Sequence, residues 1–176
     1  MGRIAAIVLA AGEASRFGAP KQQILLPRVL ERLSAAPVDE VVVVEGAHTL
    51  EPCGSEPQGI PCRVVACAQW SKGPGASLRC GLAALADDTE AAVVVLADGP
   101  NLSPTAVERV LEAWREAGGL VAASYGGDRS HPLVIGRDDW SDVPDEGLRD
   151  RPARLVPCDD LGAPGDVDTP EDLADA

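Results

Sequence analysis

Four short aliphatic runs, Ile4 to Leu9, Glu40 to Val44, Arg63 to Ala68 and Ala91 to Ala97, recur along the chain with helical patterns between them. They are valine-rich and nearly continuous in apolar character, the pattern of strands covered on both faces in a parallel sheet. The intervening stretches carry the helical period instead. Leu26, Val29, Leu30 and Leu33 fall at i, i+3, i+4 and i+7, with Pro27 expected as the first helical residue, and Leu78, Leu82 and Leu85 mark a second stripe after Gly73-Pro74-Gly75. The third stripe, Val107, Val110, Leu111 and Trp114, is bounded by Ser103 as N-cap, Pro104 at the first helical position and Gly118-Gly119 at the end. Leu120 to Tyr125 and Leu133 to Ile135 read as two further strands joined through a turn at Gly126-Gly127. From Trp140 to Pro164 the chain is acidic, proline-bearing and poorly periodic, so loops around one or two short elements are expected there. A last short helix is expected after Thr169-Pro170, with Thr169 as its N-cap. The alternation predicts the α/β class: a single domain over residues 1–176, with an open, mostly parallel sheet flanked by helices. Its ligand crevice should lie at the carboxyl ends of the strands.

Composition narrows the choice of partners. Hydrophobic residues make up 45% of the 176-residue chain and aromatic residues 3%, so the core must be aliphatic. A formal net charge of −13 argues against a nucleic-acid or anionic-membrane surface, either of which needs a basic face. A small anionic ligand would need the few cations gathered at one place, together with a metal ion. No run approaches the length of about 18 apolar residues required for a membrane helix, and the chain reads as cytoplasmic. The five cysteines contain no CxxC pair, which argues against zinc and leaves them as surface thiols or small core residues.

The run Ile4 to Leu9 opens into a glycine-punctuated loop, and Leu9 to Lys21 reads LAAGEASRFGAPK. Gly12 and Gly18 allow a tight turn and close approach to a ligand, while Arg16 and Lys21 supply cations for phosphate oxygens. The loop is neither a P-loop, which ends in Gly-Lys-Ser/Thr, nor a dinucleotide fingerprint with three close glycines. Pro20 disfavours an immediate helix by pushing Ala19 toward extended geometry. The alternative reading pairs Arg16 with Glu13 on the surface and leaves Lys21 solvated.

Asp98 ends the most apolar strand and precedes Gly99-Pro100, which brings its carboxylate out at the ligand end of the sheet; an ordinary turn aspartate would satisfy the same pattern. Asp166, Asp168 and Asp172 form a second acidic group that reads equally as a solvated tail with a capped helix. A nucleotide-bound magnesium ion takes one or two protein carboxylates plus phosphate oxygens and water, and Asp98 with Asp168 supply such a pair.

Together these segments resemble the nucleotidyltransferases of the molybdenum-cofactor NTP-transferase type. LAAGEASRFGAPK is similar to the family's opening signature and WSKGPGASLRCGLAAL to its Gly-x-x-x-Ser-Leu segment. LADGPNLSP resembles the Asp-x-Pro turn, DRSHPLVIG the Gly-His-Pro segment, and DVDTPEDL the C-terminal signature. The cytidylyltransferase branch is the one most resembled. That resemblance implies transfer of CMP from CTP to the terminal phosphate of molybdopterin with release of pyrophosphate. It implies a nucleotide held by Leu9, Ala10, Ala11, Gly12, Arg16, Lys21 and Ser77, with Arg16, Lys21 and Asp98 in the catalytic role. It further implies Mg2+ on Asp98 and Asp168, the pterin side near His131, and a molybdenum hydroxylase-type apoenzyme as partner. Ala11 bears on base choice, since guanylyltransferase relatives carry glycine there and use GTP. Three departures stand out: a shortened segment after Lys21, Ser130 in place of glycine before His-Pro, and Gly99 inside the Asp-x-Pro turn. Another phosphorylated acceptor and a non-catalytic cofactor carrier are the competing readings.

Overall fold

A computed structural model describes residues 2–13, 21–51 and 59–174. Among these residues, seven strands form one sheet: β1 (Arg3–Ala10), β2 (Glu40–Glu45), β3 (Cys62–Ala66), β4 (Thr89–Leu96), β5 (Leu120–Tyr125), β6 (Asp128–Gly136) and β7 (Arg154–Pro157). Their order is β3-β2-β1-β4-β6-β5-β7. Only β6 runs against its neighbours, pairing antiparallel with both β4 and β5, and the remaining pairs are parallel. The expected open, mostly parallel α/β sheet is therefore the observed one.

Helices α1 (Lys21–Ser34) and α3 (Pro104–Ala117) cover one face, and α2 (Pro74–Ala83) covers the other. Alternation along β1 divides the two cores. Ile4, Ala6 and Val8 join Val29 and Leu33 of α1 and Val107 and Leu111 of α3 on one side. Ala5 and Ile7 meet Leu78 and Leu82 of α2 on the other. This two-sided burial is why the strands read as unbroken aliphatic runs rather than as alternating ones.

The hairpin between β5 and β6 turns through Gly126 and Gly127, at φ of 61° and 86°. Two successive left-handed residues are what a tight type I′ connection demands. Helix α3 follows the expected boundaries: Ser103 holds extended N-cap geometry, Pro104 is the first helical residue, and the Gly118 amide donates to the Trp114 carbonyl at 2.7 Å. The short helix α4 (Pro170–Ala174) is capped as Thr169 implies. Asp172 Oδ2 accepts from the Thr169 amide at 2.8 Å, while the Asp172 amide donates to Thr169 Oγ1 at 3.3 Å, a reciprocal capping box.

Two expectations are corrected. Pro27 does not begin the first helix: α1 starts at Lys21 and carries Pro27 in its interior. An internal proline removes one backbone hydrogen bond at a cost of about 3 kcal/mol. Here that cost is outweighed by burial of Leu25, Leu26, Val29, Leu30 and Leu33 and by tertiary hydrogen bonds that fix Lys21 and Gln22. The reading of the cysteines as thiols also fails in part, because Cys67 and Cys80 form a disulfide tying the turn after β3 to α2. Cys158 is a free, buried thiol, as expected of a small core residue.

The α3 face of the core gives a direct test. Leu111 is fully buried, and Leu111→Ala is expected to lower the unfolding free energy by about 2–5 kcal/mol in urea denaturation.

Candidate functional site

Strand order reverses between β1 and β4, so the chain segments leaving these two strands diverge around a crevice at their carboxyl ends. The loop from β1 leaves on one side and Asp98 on the other. The C-terminal segment 164–168 then closes over the end of β4. Asn101 donates to the Pro164 carbonyl at 2.9 Å, and the Val167 amide donates to the Asp98 carbonyl at 3.1 Å. Val167 is buried against Leu25 and Leu173. In extended chain, residues on either side of a buried one share the opposite face. Asp166 and Asp168 accordingly emerge together, and with Asp98 they bring three carboxylates within 4.8 Å of one another.

Glycine at position 99 is part of this arrangement. A Cβ there would lie 3.2 Å from Pro164 Cβ, so its absence allows the C-terminal segment to approach the Asp98 turn. Gly165, at φ of 84°, supplies the left-handed turn that aims Asp166 and Asp168 back toward β4. Ser130 stands in the paired part of β6, opposite Ala123, where a side chain is accommodated without glycine's freedom.

Lys21 is the cation at the centre. Its side chain is 7% exposed, and Nζ donates to Val167 O at 2.6 Å, Asp168 Oδ1 at 3.1 Å and Asp98 Oδ2 at 3.3 Å. All three ammonium protons are thereby used. Burial pulls the ammonium pKa down, but the hydrogen bond to Asp168 and the charge and hydrogen bond of Asp98 more than offset it and hold the group above its ordinary value. The alternative that Lys21 is solvated differs from this placement, in which it is buried and bridges the acidic cluster. Asp166 responds oppositely to a carboxylate facing a cation. Burial, together with the like charges of Asp98 and Asp168, raises its pKa above the usual carboxylate range. Among the described residues, three carboxylates opposed by one ammonium leave two formal negative charges at the cluster. Carboxylate oxygens at this spacing and charge fit a hard divalent cation such as magnesium or manganese.

The remaining candidates lie around this centre. Ala10 and Ala11 are buried, Leu9 is half-buried, and Gly12 is exposed where β1 ends. Arg16 lies outside the described residues. Ser77 is buried in α2, whose first residue is Pro74. His131 is half-buried in β6 and follows the strand into a cis bond with Pro132. With Val95, Gly99, Leu102, Pro164 and Asp166, it lines a cavity of about 140 Å³ beside the acidic cluster.

Two residues of the site escaped the sequence reading of roles. Asp166 was visible as an acidic residue, and its i, i+2 relation to Asp168 around Val167 was the available signal for a shared face. Gln22 gave no such signal. It is buried in the first turn of α1, and its Nε2 donates to the Gly12 carbonyl at 2.9 Å, pinning the exit of β1 to the helix.

Burial depresses the His131 pKa to about 4 against an ordinary 6.5, with Asp98 opposing and Arg129 assisting the shift. The ring is neutral at pH 7. Because the folded pKa lies below the unfolded one, its contribution to stability is present above pH 6.5 and is lost as pH falls toward 4. The His131 ring resonances are expected to titrate near pH 4 by NMR, and a midpoint at 6.5 would contradict this burial.

Several solved structures share the architecture. A homologue of Mycobacterium tuberculosis Rv0371c from Mycobacterium sp. strain JC1 is 25% identical, with a TM-score of 0.76, over 98% of this chain and 94% of its own. Rv0371c of Mycobacterium tuberculosis H37Rv, in complex with manganese, is 24% identical, with a TM-score of 0.72, over 98% of this chain and 97% of its own. A 4-diphosphocytidyl-2C-methyl-D-erythritol synthase from Anaerococcus prevotii shares the fold at 17% identity and a TM-score of 0.70, covering 99% and 96% of the two chains. Among curated proteins none matches significantly. Residues 6–156 match the model of the MobA-like NTP transferase domain. That span contains the β1 exit loop, Lys21, Asp98 and His131, and the chain belongs to this family of nucleotidyltransferases.

Proposed function

We propose that the protein transfers CMP from CTP to the terminal phosphate of molybdopterin, releasing pyrophosphate, in the cytoplasm. The observation that carries the reading is the convergence of Asp98, Asp166 and Asp168 on Lys21 at the switch point of the sheet, directly beside the glycine-bearing exit of β1. Asp98 and Asp168, with Asp166 added, are the residues that would hold a divalent cation. Magnesium is the proposed ion, and the manganese complex of the mycobacterial relative supports a divalent metal in this fold. When bound, such an ion neutralises triphosphate charge and the charge that develops on the leaving pyrophosphate.

The chain's own part is positioning. Backbone groups of Leu9, Ala10, Ala11 and Gly12, with Ser77, are assigned to the nucleoside, and Arg16 and Lys21 to the phosphates. An acceptor phosphate oxygen attacks the α-phosphorus in line; the new O–P bond forms as the bond to the bridging oxygen of the β-phosphate breaks. No protein nucleophile is required. Lys21 is held among the carboxylates by three hydrogen bonds. Were a divalent cation held by Asp98, Asp166 and Asp168, the Lys21 ammonium beside them would add positive charge for phosphate oxygens. The cavity between His131 and Asp166 is assigned to the acceptor, with neutral His131 as a hydrogen-bonding group there. Delivery of the product to a molybdenum hydroxylase-type apoenzyme completes the proposal.

A screen of the four nucleoside triphosphates for metal-dependent pyrophosphate release, with and without molybdopterin, tests this reading. CTP with molybdopterin is expected to give turnover; turnover only with another phosphorylated acceptor would replace the acceptor, and release with GTP alone would replace the base. Asp98→Ala is expected to abolish release, whereas near-wild-type turnover would remove the metal assignment. Asp166→Asn should weaken Mn2+ binding by roughly tenfold or more in calorimetry. Lys21→Ala is expected to weaken triphosphate affinity, and an unchanged Kd would argue that the lysine only holds the acidic cluster.

A further inference from the structure

We infer that Gln22 reads the nucleobase, its carboxamide oxygen accepting a hydrogen bond from an exocyclic amino group and so selecting cytosine over uracil. The inference rests on the nucleotide reading above. Gln22 is 5% exposed in the first turn of α1, and its two polar ends are in unequal states. Nε2 donates to the Gly12 carbonyl at 2.9 Å, whereas Oε1 is buried and accepts no hydrogen bond among the described residues. A buried acceptor without a donor is costly, and such groups are rare in folded proteins.

Turning the amide over does not relieve the problem. It would set Oε1 against the Gly12 carbonyl oxygen, acceptor to acceptor, and lose the existing bond. The side chain is therefore held with its nitrogen anchored on Gly12 and its buried oxygen turned away from that carbonyl. That polarity limits what can satisfy it. Phosphate oxygens are acceptors and are repelled, so the matching part of a nucleotide must carry N–H or O–H.

Position favours the base. Successive residues on a helix point about 100° apart. Lys21 directs its ammonium to the acidic cluster, where the phosphates are assigned, while Gln22 reaches the end of β1 at Gly12. Cytosine and uracil have the same ring outline but differ at position 4, where cytosine has an amino donor and uracil a carbonyl acceptor. Facing Oε1, the first completes the hydrogen bond and the second opposes it. A site with a fixed hydrogen-bonding group discriminates strongly against the analogue that cannot pair with it.

Calorimetric titration of the wild-type protein with Mn2+-CTP, Mn2+-UTP and the triphosphate of the pyrimidin-2-one riboside, which lacks the 4-amino group, tests the inference without any mutation. CTP is expected to bind about tenfold or more tightly than either analogue. Gln22→Met keeps the bulk and removes both polar ends; it is expected to bring the CTP to UTP affinity ratio close to one, with thermal melting reporting that the variant is folded. Equal binding of CTP and UTP by the wild type would overturn the inference. So would a Gln22→Met variant whose affinities for both nucleotides fall equally, because that pattern belongs to a ribose contact or to a role in ordering the loop. A wild-type protein that binds no nucleoside triphosphate would overturn the nucleotide reading itself, and the inference with it.

Discussion

A single buried ammonium fastens three distant parts of this chain together. Lys21 begins α1, Asp98 follows β4, and Val167 and Asp168 belong to the C-terminal segment; the three hydrogen bonds from Nζ span 77, 146 and 147 residues of sequence. Burying a lysine carries a desolvation cost that only closely placed acceptors offset. The start of α1, the turn after β4 and the path of residues 164–168 are therefore mutually constrained. Gly99 and Gly165 serve the same constraint, the first by allowing the segments to approach and the second by turning the chain back.

This constraint leaves the site electrostatically incomplete. Lys21 offsets part of the charge of Asp98, Asp166 and Asp168, yet burial, with the like charges of its two acidic neighbours, still raises the Asp166 pKa. Like charges held at short range at the carboxyl end of a central strand are a poor way to stabilise a fold and a good way to bind a cation. The interior around it supplies the rigidity, since β1 and β4 are aliphatic on both faces and fully packed.

The disulfide between Cys67 and Cys80 plays a comparable local role on the other face. It joins the turn after β3 to α2, and Trp70 in that turn packs where a side chain at Gly46 would otherwise stand, next to Ala11. The segment carrying Ser77 is thus tied to the exit of β1 through covalent and van der Waals contacts that sequence spacing does not reveal.

Periodicity alone determined the strands β1 to β4, the helix α3 with its proline and glycine boundaries, the β5–β6 hairpin and the capped helix α4. These depend on local steric preference and on which faces of an element are apolar, and both are written in consecutive residues. Asp98 was legible for the same reason, as a carboxylate at the end of a buried strand. The start of α1, the pairing of Cys67 with Cys80, the recruitment of Asp166 and the anchored amide of Gln22 were decided only in three dimensions. Each depends on groups brought together by folding, where hydrogen bonding and desolvation in a packed interior outweigh local propensities such as that of Pro27.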